Sequence, residues 1–143
     1  MAEPPSWAEQ RRQAVAGHAA ALEAARAAEA AEGRALIADF VRRAAAAGLE
    51  PGPLAARALS GGATYRTALR GWYLKSNRSV AVGADGGYYV LSVPPSLRAR
   101  LRGAAVEPSD PRLVVGAGGG DGESVPLKEL LERRLTLPAR WPG

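Results

Sequence analysis

Arg66, Arg70, Trp72, Lys75, Arg78 and Tyr88 lie in one short stretch of this chain, and that mixture of side chains has a chemistry of its own. Guanidinium and ammonium groups follow phosphates, while aromatic rings stack on bases at about 1–3 kcal/mol each, as in proteins that hold single-stranded nucleic acid. Downstream, Arg98, Arg100 and Arg102 alternate with Leu97, Ala99 and Leu101. These basic and aromatic residues form the expected surface for an anionic partner. The pattern is compositional, since no K/R-G-F/Y-G/A-F run of the RNA-recognition kind is present.

The charge distribution points to the same region. The formal net charge is +5, and between Arg57 and Arg102 the only acid is Asp85. The first 48 residues carry as many acids as arginines. An excess of arginine, alanine, glycine and proline is also what GC-rich codons produce, so composition alone does not separate a functional patch from codon bias.

Catalytic chemistry has little to stand on. There are no cysteines, which excludes disulfides and thiolate metal sites, and there is one histidine, His18, within an alanine-rich run. The serines occupy turn, strand or cap positions without a nucleophile-elbow pattern. "LVVGAGGGDGES" (Leu113–Ser124) has the strand-and-glycine look of a dinucleotide loop. Asp121 stands where the third glycine should be, Glu123 would repel a pyrophosphate, and no Walker lysine follows. The expectation is a non-enzymatic protein with no cofactor and no metal.

Placing the basic residues requires the elements around them. Ser6-Trp7-Ala8-Glu9 is a capping box, so a helix starts there and runs through strong helix formers to about Glu32. Its apolar stripe is thin (Val15, Ala19, Leu22, Ala25), so residues 1–33 are expected to be a helical extension, with a break possible at Gly33. From Arg34 the pattern changes: Leu36, Ile37, Phe40, Val41 and Ala44 make an amphipathic face that should cover a sheet, and Gly48 stops the helix. A hairpin is expected about Gly61-Gly62, with further turns at Ser76-Asn77 and Asp85-Gly86.

With even-numbered loops, Tyr73 would oppose Val80, and Val82 would oppose Tyr89. One sheet face then carries Leu69, Tyr73, Val80, Val82, Tyr89, Leu91 and Val93. The other carries Arg66, Arg70, Trp72, Leu74, Ala81, Tyr88 and Val90, and an odd loop would exchange faces. The C-terminal helix, with Leu127, Leu130, Leu131 and Leu135 and a cap at Ser124, is expected to cover that second face; the alternative leaves it open to a ligand. Ser96 and Gly103 bound a short helix.

The expected fold is therefore α+β: a long N-terminal helix, an antiparallel β-meander of three to five strands and a C-terminal helix, with residues 34–143 as one small domain. No secretory signal and no membrane-length apolar run is visible, so a cytoplasmic protein without membrane contact is expected. The favoured function is a small adaptor or protein-interaction module that docks, on a protein partner or on itself, through its N-terminal helix and its basic sheet rim. The alternative is a nucleic-acid-binding protein using the arginine and aromatic face.

Overall fold

The capping box forms at Ser6. Its Oγ accepts from Glu9 N at 3.2 Å, while Glu9 Oε2 accepts from Ser6 N at 3.2 Å. In this computed structural model, which describes residues 4, 6–116 and 124–143, the helix so begun is α1 (Trp7–Ala46), 40 residues without interruption. At about 1.5 Å per residue it is roughly 60 Å long. Gly33 does not break it. It is buried because α1 meets the chain near Pro111 there, and a Cβ at Gly33 would lie 2.6 Å from Pro111 Cβ. Ala30, Gly33, Ile37, Phe40 and Ala44 form the buried seam, and residues 7–28 are exposed throughout. Contact with the body begins at Glu29, whose Oε1 accepts from Leu113 N at 2.9 Å.

After α1 come β1 (Gly52–Ala58), β2 (Thr64–Tyr73), β3 (Val80–Gly83), β4 (Tyr88–Val90) and β5 (Ser92–Val93). The strands order as β4-β3-β2-β1-β5. All pairs are antiparallel except β1 with β5, which is parallel, so the sheet is mixed rather than a pure meander. Only Leu91 separates β4 from β5, so one extended run borders β3 first and β1 next. Leu91 itself donates to Ser79 O at 2.8 Å and accepts from Arg57 N at 2.7 Å. The sheet thereby curls closed, which removes most of its free edge.

Both hairpin loops are odd-numbered, and this overturns the expected register. Tyr73 pairs with Ala81, Trp72 with Val82, and Val82 with Tyr88. In the second loop Gly86 N donates to Gly83 O at 2.9 Å, and Gly86 takes φ 86°. Asp85-Gly86 therefore sits in a three-residue loop with a left-handed glycine, not in the two-residue turn the same dipeptide favours. In the first loop Arg78 is left-handed at φ 60°, and Asn77 Oδ1 accepts from Ser79 N at 3.0 Å. A slip of one residue exchanges faces, and the two slips cancel for β4, so only β3 changes side: Val80 and Val82 join Trp72 and Tyr88, and Ala81 joins Tyr73 and Tyr89.

The inner side of the curl buries Leu54, Ala81, Tyr89 and Leu91. On the outer side, Trp72, Leu74, Val80, Val82 and Tyr88 pack under α1 and α3 (Leu127–Thr136). Phe40 meets Trp72 edge-on at 5.3 Å, and Trp72 Nε1 donates to Leu49 O at 3.2 Å. Arg43 binds Glu132 through both guanidinium nitrogens, which joins α1 to α3. α3 starts later than expected. Pro126, not Ser124, is its N-cap, because β7 (Val125–Pro126) first pairs with β6 (Val114–Val115). The glycine-rich segment with Asp121 and Glu123 lies outside the described residues. Among the described residues no helix is long and apolar enough to cross a membrane.

Candidate functional site

The basic and aromatic residues separate into three environments. Trp72, Tyr88 and Lys75 are buried; the first two belong to the core under the helices, and Lys75 Nζ donates to Gly116 O at 3.0 Å. The ring faces of Trp72 and Tyr88 are thus covered by the protein itself. Arg70 is exposed and donates to Pro51 O at 3.0 Å. Arg78 lies over the Tyr73 ring at 5.8 Å, beside the C-terminal segment.

The third environment is a groove. α2 (Leu97–Arg102) follows Pro94-Pro95 and is fastened to β2 at both ends. Ser96 Oγ accepts from Ala99 N at 3.2 Å, and Ser96 N donates to the Tyr65 hydroxyl at 3.0 Å. At the other end Arg66 Nη2 donates to Leu101 O at 3.0 Å, and Ala104 N donates to Arg66 O at 2.8 Å. Ala99 points inward against Ala58 and Tyr65. With that face fixed, Arg98 and Arg102, one turn apart, stand with Arg66 around an open groove of about 860 Å³. Thr67, Ala68, Val93 and residues 103–105 complete its walls, and none of its lining residues is acidic. Arg100 is exposed on the same helix but does not line the groove. Leu97 and Leu101 are 77% and 75% exposed, so α2 offers apolar surface next to charge.

Such a site can bind an anion, and the two hydroxyls in its lining are engaged with backbone, Thr67 Oγ1 donating to Leu54 O and Ser96 Oγ accepting from Ala99 N. Three guanidinium groups on converging backbones form charge-assisted hydrogen bonds with carboxylates or phosphates. Among the described residues no group of three or more His, Cys, Asp or Glu could hold a metal ion.

Reading the sequence missed Arg134. It is 1% exposed, and its guanidinium donates to Leu137 O, Pro138 O and Ala139 O at 3.1–3.3 Å while lying 5.5 Å from the Trp141 ring. Its Nε has no hydrogen-bond partner among the described residues, and burial lowers its pKa. The available signal was its spacing, which puts it on the same helix face as Leu127, Leu130 and Leu131.

No protein-family model, no curated protein and no solved structure matches this chain.

Proposed function

We propose that this protein is a small non-enzymatic adaptor that docks through the projecting half of α1 and receives an acidic protein surface in the groove between α2 and β2. The observation that supports it is the meeting of Arg66, Arg98 and Arg102 on an acid-free groove, on a helix that also exposes Leu97 and Leu101. Charge beside exposed apolar side chains suits a peptide that is both acidic and amphipathic, because the leucines reward partners that charge alone would not select. The nucleic-acid reading loses its stacking rings to the core, which leaves it only phosphate contacts.

The test is fluorescence anisotropy of the whole protein with two probes, a labelled Glu/Leu-rich peptide and labelled single-stranded oligonucleotides, at about 50 and 200 mM salt. Binding of the peptide, weakened roughly tenfold or more by Arg98→Ala with Arg102→Ala, is the expected result. Preference for the oligonucleotide, with a loss of roughly tenfold or more between the two salt concentrations as three phosphate contacts would give, would move the assignment to nucleic acid. Failure to bind either probe would remove the groove from the function.

A further inference from the structure

We infer that the projecting half of α1 pairs antiparallel with the same segment of a second copy of this chain, about a two-fold axis between Gly17 and His18. The argument starts from the seam that α1 buries against its own body, where Ala30, Gly33, Ile37, Phe40 and Ala44 alternate three and four residues apart. Continued toward the N-terminus at the same spacing, the seam runs through Arg26, Glu23, Ala19, Ala16, Arg12 and Glu9, every one exposed. Paired helices meet along a stripe of this spacing, which in coiled coils is apolar; here it is alanine at the centre and charged toward both ends, so the charges decide the pairing.

The charges on this stripe are self-complementary in one orientation only. Set antiparallel, Glu9 faces Arg26 of the second copy, Arg12 faces Glu23, and Ala16 faces Ala19; each pair of numbers totals 35. Symmetry gives every pair twice. A parallel, in-register pair would instead stack Glu9 on Glu9, Arg12 on Arg12, and so on through like-charge layers. Within the chain, Arg12, Glu23 and Arg26 make no ion pair with any described residue.

Two further observations fall on the same axis. The bare length of α1 runs from Trp7 to Ala28, and these numbers also total 35. A second helix in this register therefore lies along the bare length and ends where the body begins. Val15 and Leu22, 65% and 46% exposed, flank the seam on one side, and across this axis each approaches the other's counterpart. The alanines at the centre let the helix axes come close, since interaxial distance is set by the side chains at the contact. This pairing deepens the α1 half of the proposed function and names its partner; the groove is independent of it.

The test is the mass of the full-length protein by sedimentation equilibrium, in a series up to about 100 µM, where a dimer with a Kd of about 10 µM would be mostly assembled. The expected mass is twice 14.8 kDa. Glu23→Arg, or Arg12→Glu, converts two attractive layers to repulsive ones and should weaken association roughly tenfold. The double variant Arg12→Glu/Glu23→Arg should restore the dimer. All substituted side chains are exposed, and far-ultraviolet circular dichroism verifies that the variants fold.

Because the chain lacks cysteine, a spin label on Ala8→Cys reads the orientation directly. Antiparallel pairing puts the labels about 30 Å apart, parallel pairing roughly 10 Å. A monomer throughout the series, a dimer indifferent to Glu23→Arg, or a short label distance each overturns the inference. A monomer that still binds the acidic peptide would overturn this pairing and leave the groove standing, and a dimer that ignores the peptide would do the reverse.

Discussion

Asp85 holds its turn with both oxygens. Oδ1 accepts from Gly87 N at 2.8 Å, and Oδ2 accepts from the Tyr89 hydroxyl at 2.6 Å. The bond to Asp85, then burial, pushes the Tyr89 phenol up to about 12 from the usual 10. A phenol whose folded pKa is raised favours folding fully below pH 10, where both states are protonated alike in their preference for the neutral form. That contribution is lost as pH climbs from 10 to 12, because the unfolded chain releases its proton first. In an alkaline absorbance titration one tyrosine should therefore ionise near 12, and Asp85→Asn should bring that step down toward the other tyrosines. Burial also raises Tyr88, so the check is the step that moves: a titration unchanged by Asp85→Asn would assign the Tyr89 shift to burial instead. Arg134 is the opposite kind of residue: a buried cation with no carboxylate partner among the described residues, whose three carbonyl acceptors all belong to the segment after α3. It holds Leu137–Ala139 against the body, and the ring of Trp141 covers it.

At the scale of elements, what was legible was whatever has a local signature. The Ser6 box, the Gly48 stop, the Ser96 cap and the leucine spacing of α3 all mark helices that form. The hairpin about Gly61-Gly62 forms as well. Register was not legible, because Asp85-Gly86 serves a two-residue and a three-residue loop equally, and nothing in Arg78 announces a left-handed backbone. The slips moved only β3, bringing Val80 and Val82 to the face of Trp72 and Tyr88 and Ala81 to the other; that face is core because α1 and α3 cover it, as the leucines of the C-terminal helix led one to expect. The groove was half legible: its arginines stand out in the sequence, but their meeting depends on α2 being fastened across β2 by Tyr65 and Arg66. Gly33 gives a direct check on helix packing. In an open helix Gly→Ala stabilises by about 1 kcal/mol. At Gly33 the new methyl would meet the Pro111 ring at 2.6 Å, and overpacking costs about 1–3 kcal/mol. Gly33→Ala should therefore lower stability by roughly 1 kcal/mol in urea denaturation; a stabilised variant would mean that α1 and the Pro111 segment separate easily.

For the whole molecule, exposure divides the chain more sharply than composition does. Residues 7–28 are all exposed, whereas Glu29, Ala30 and Gly33 are bound into the body. Removing residues 1–28 should leave the near-ultraviolet melting temperature of the body within a few degrees of the intact chain measured at low protein concentration, where association contributes little. Removing residues 1–33 should depress it by several degrees more, a loss of 1 kcal/mol being worth about 4 °C for a chain of this size. Equal melting of the two truncations would show that the α1–Pro111 contact carries no stability.

Because α1 passes from bare to buried without a joint, its outer half is geared to the body. A helix advances about 100° per residue, so the direction in which the outer seam faces is set at Glu29 by the count of residues and by no hinge. One residue inserted there would swing the seam by more than a quarter turn relative to the arginine groove, while seven would lengthen the arm and return it almost to its original bearing. The helix therefore fixes an azimuth as well as a distance: whatever grips the arm meets the groove at one bearing.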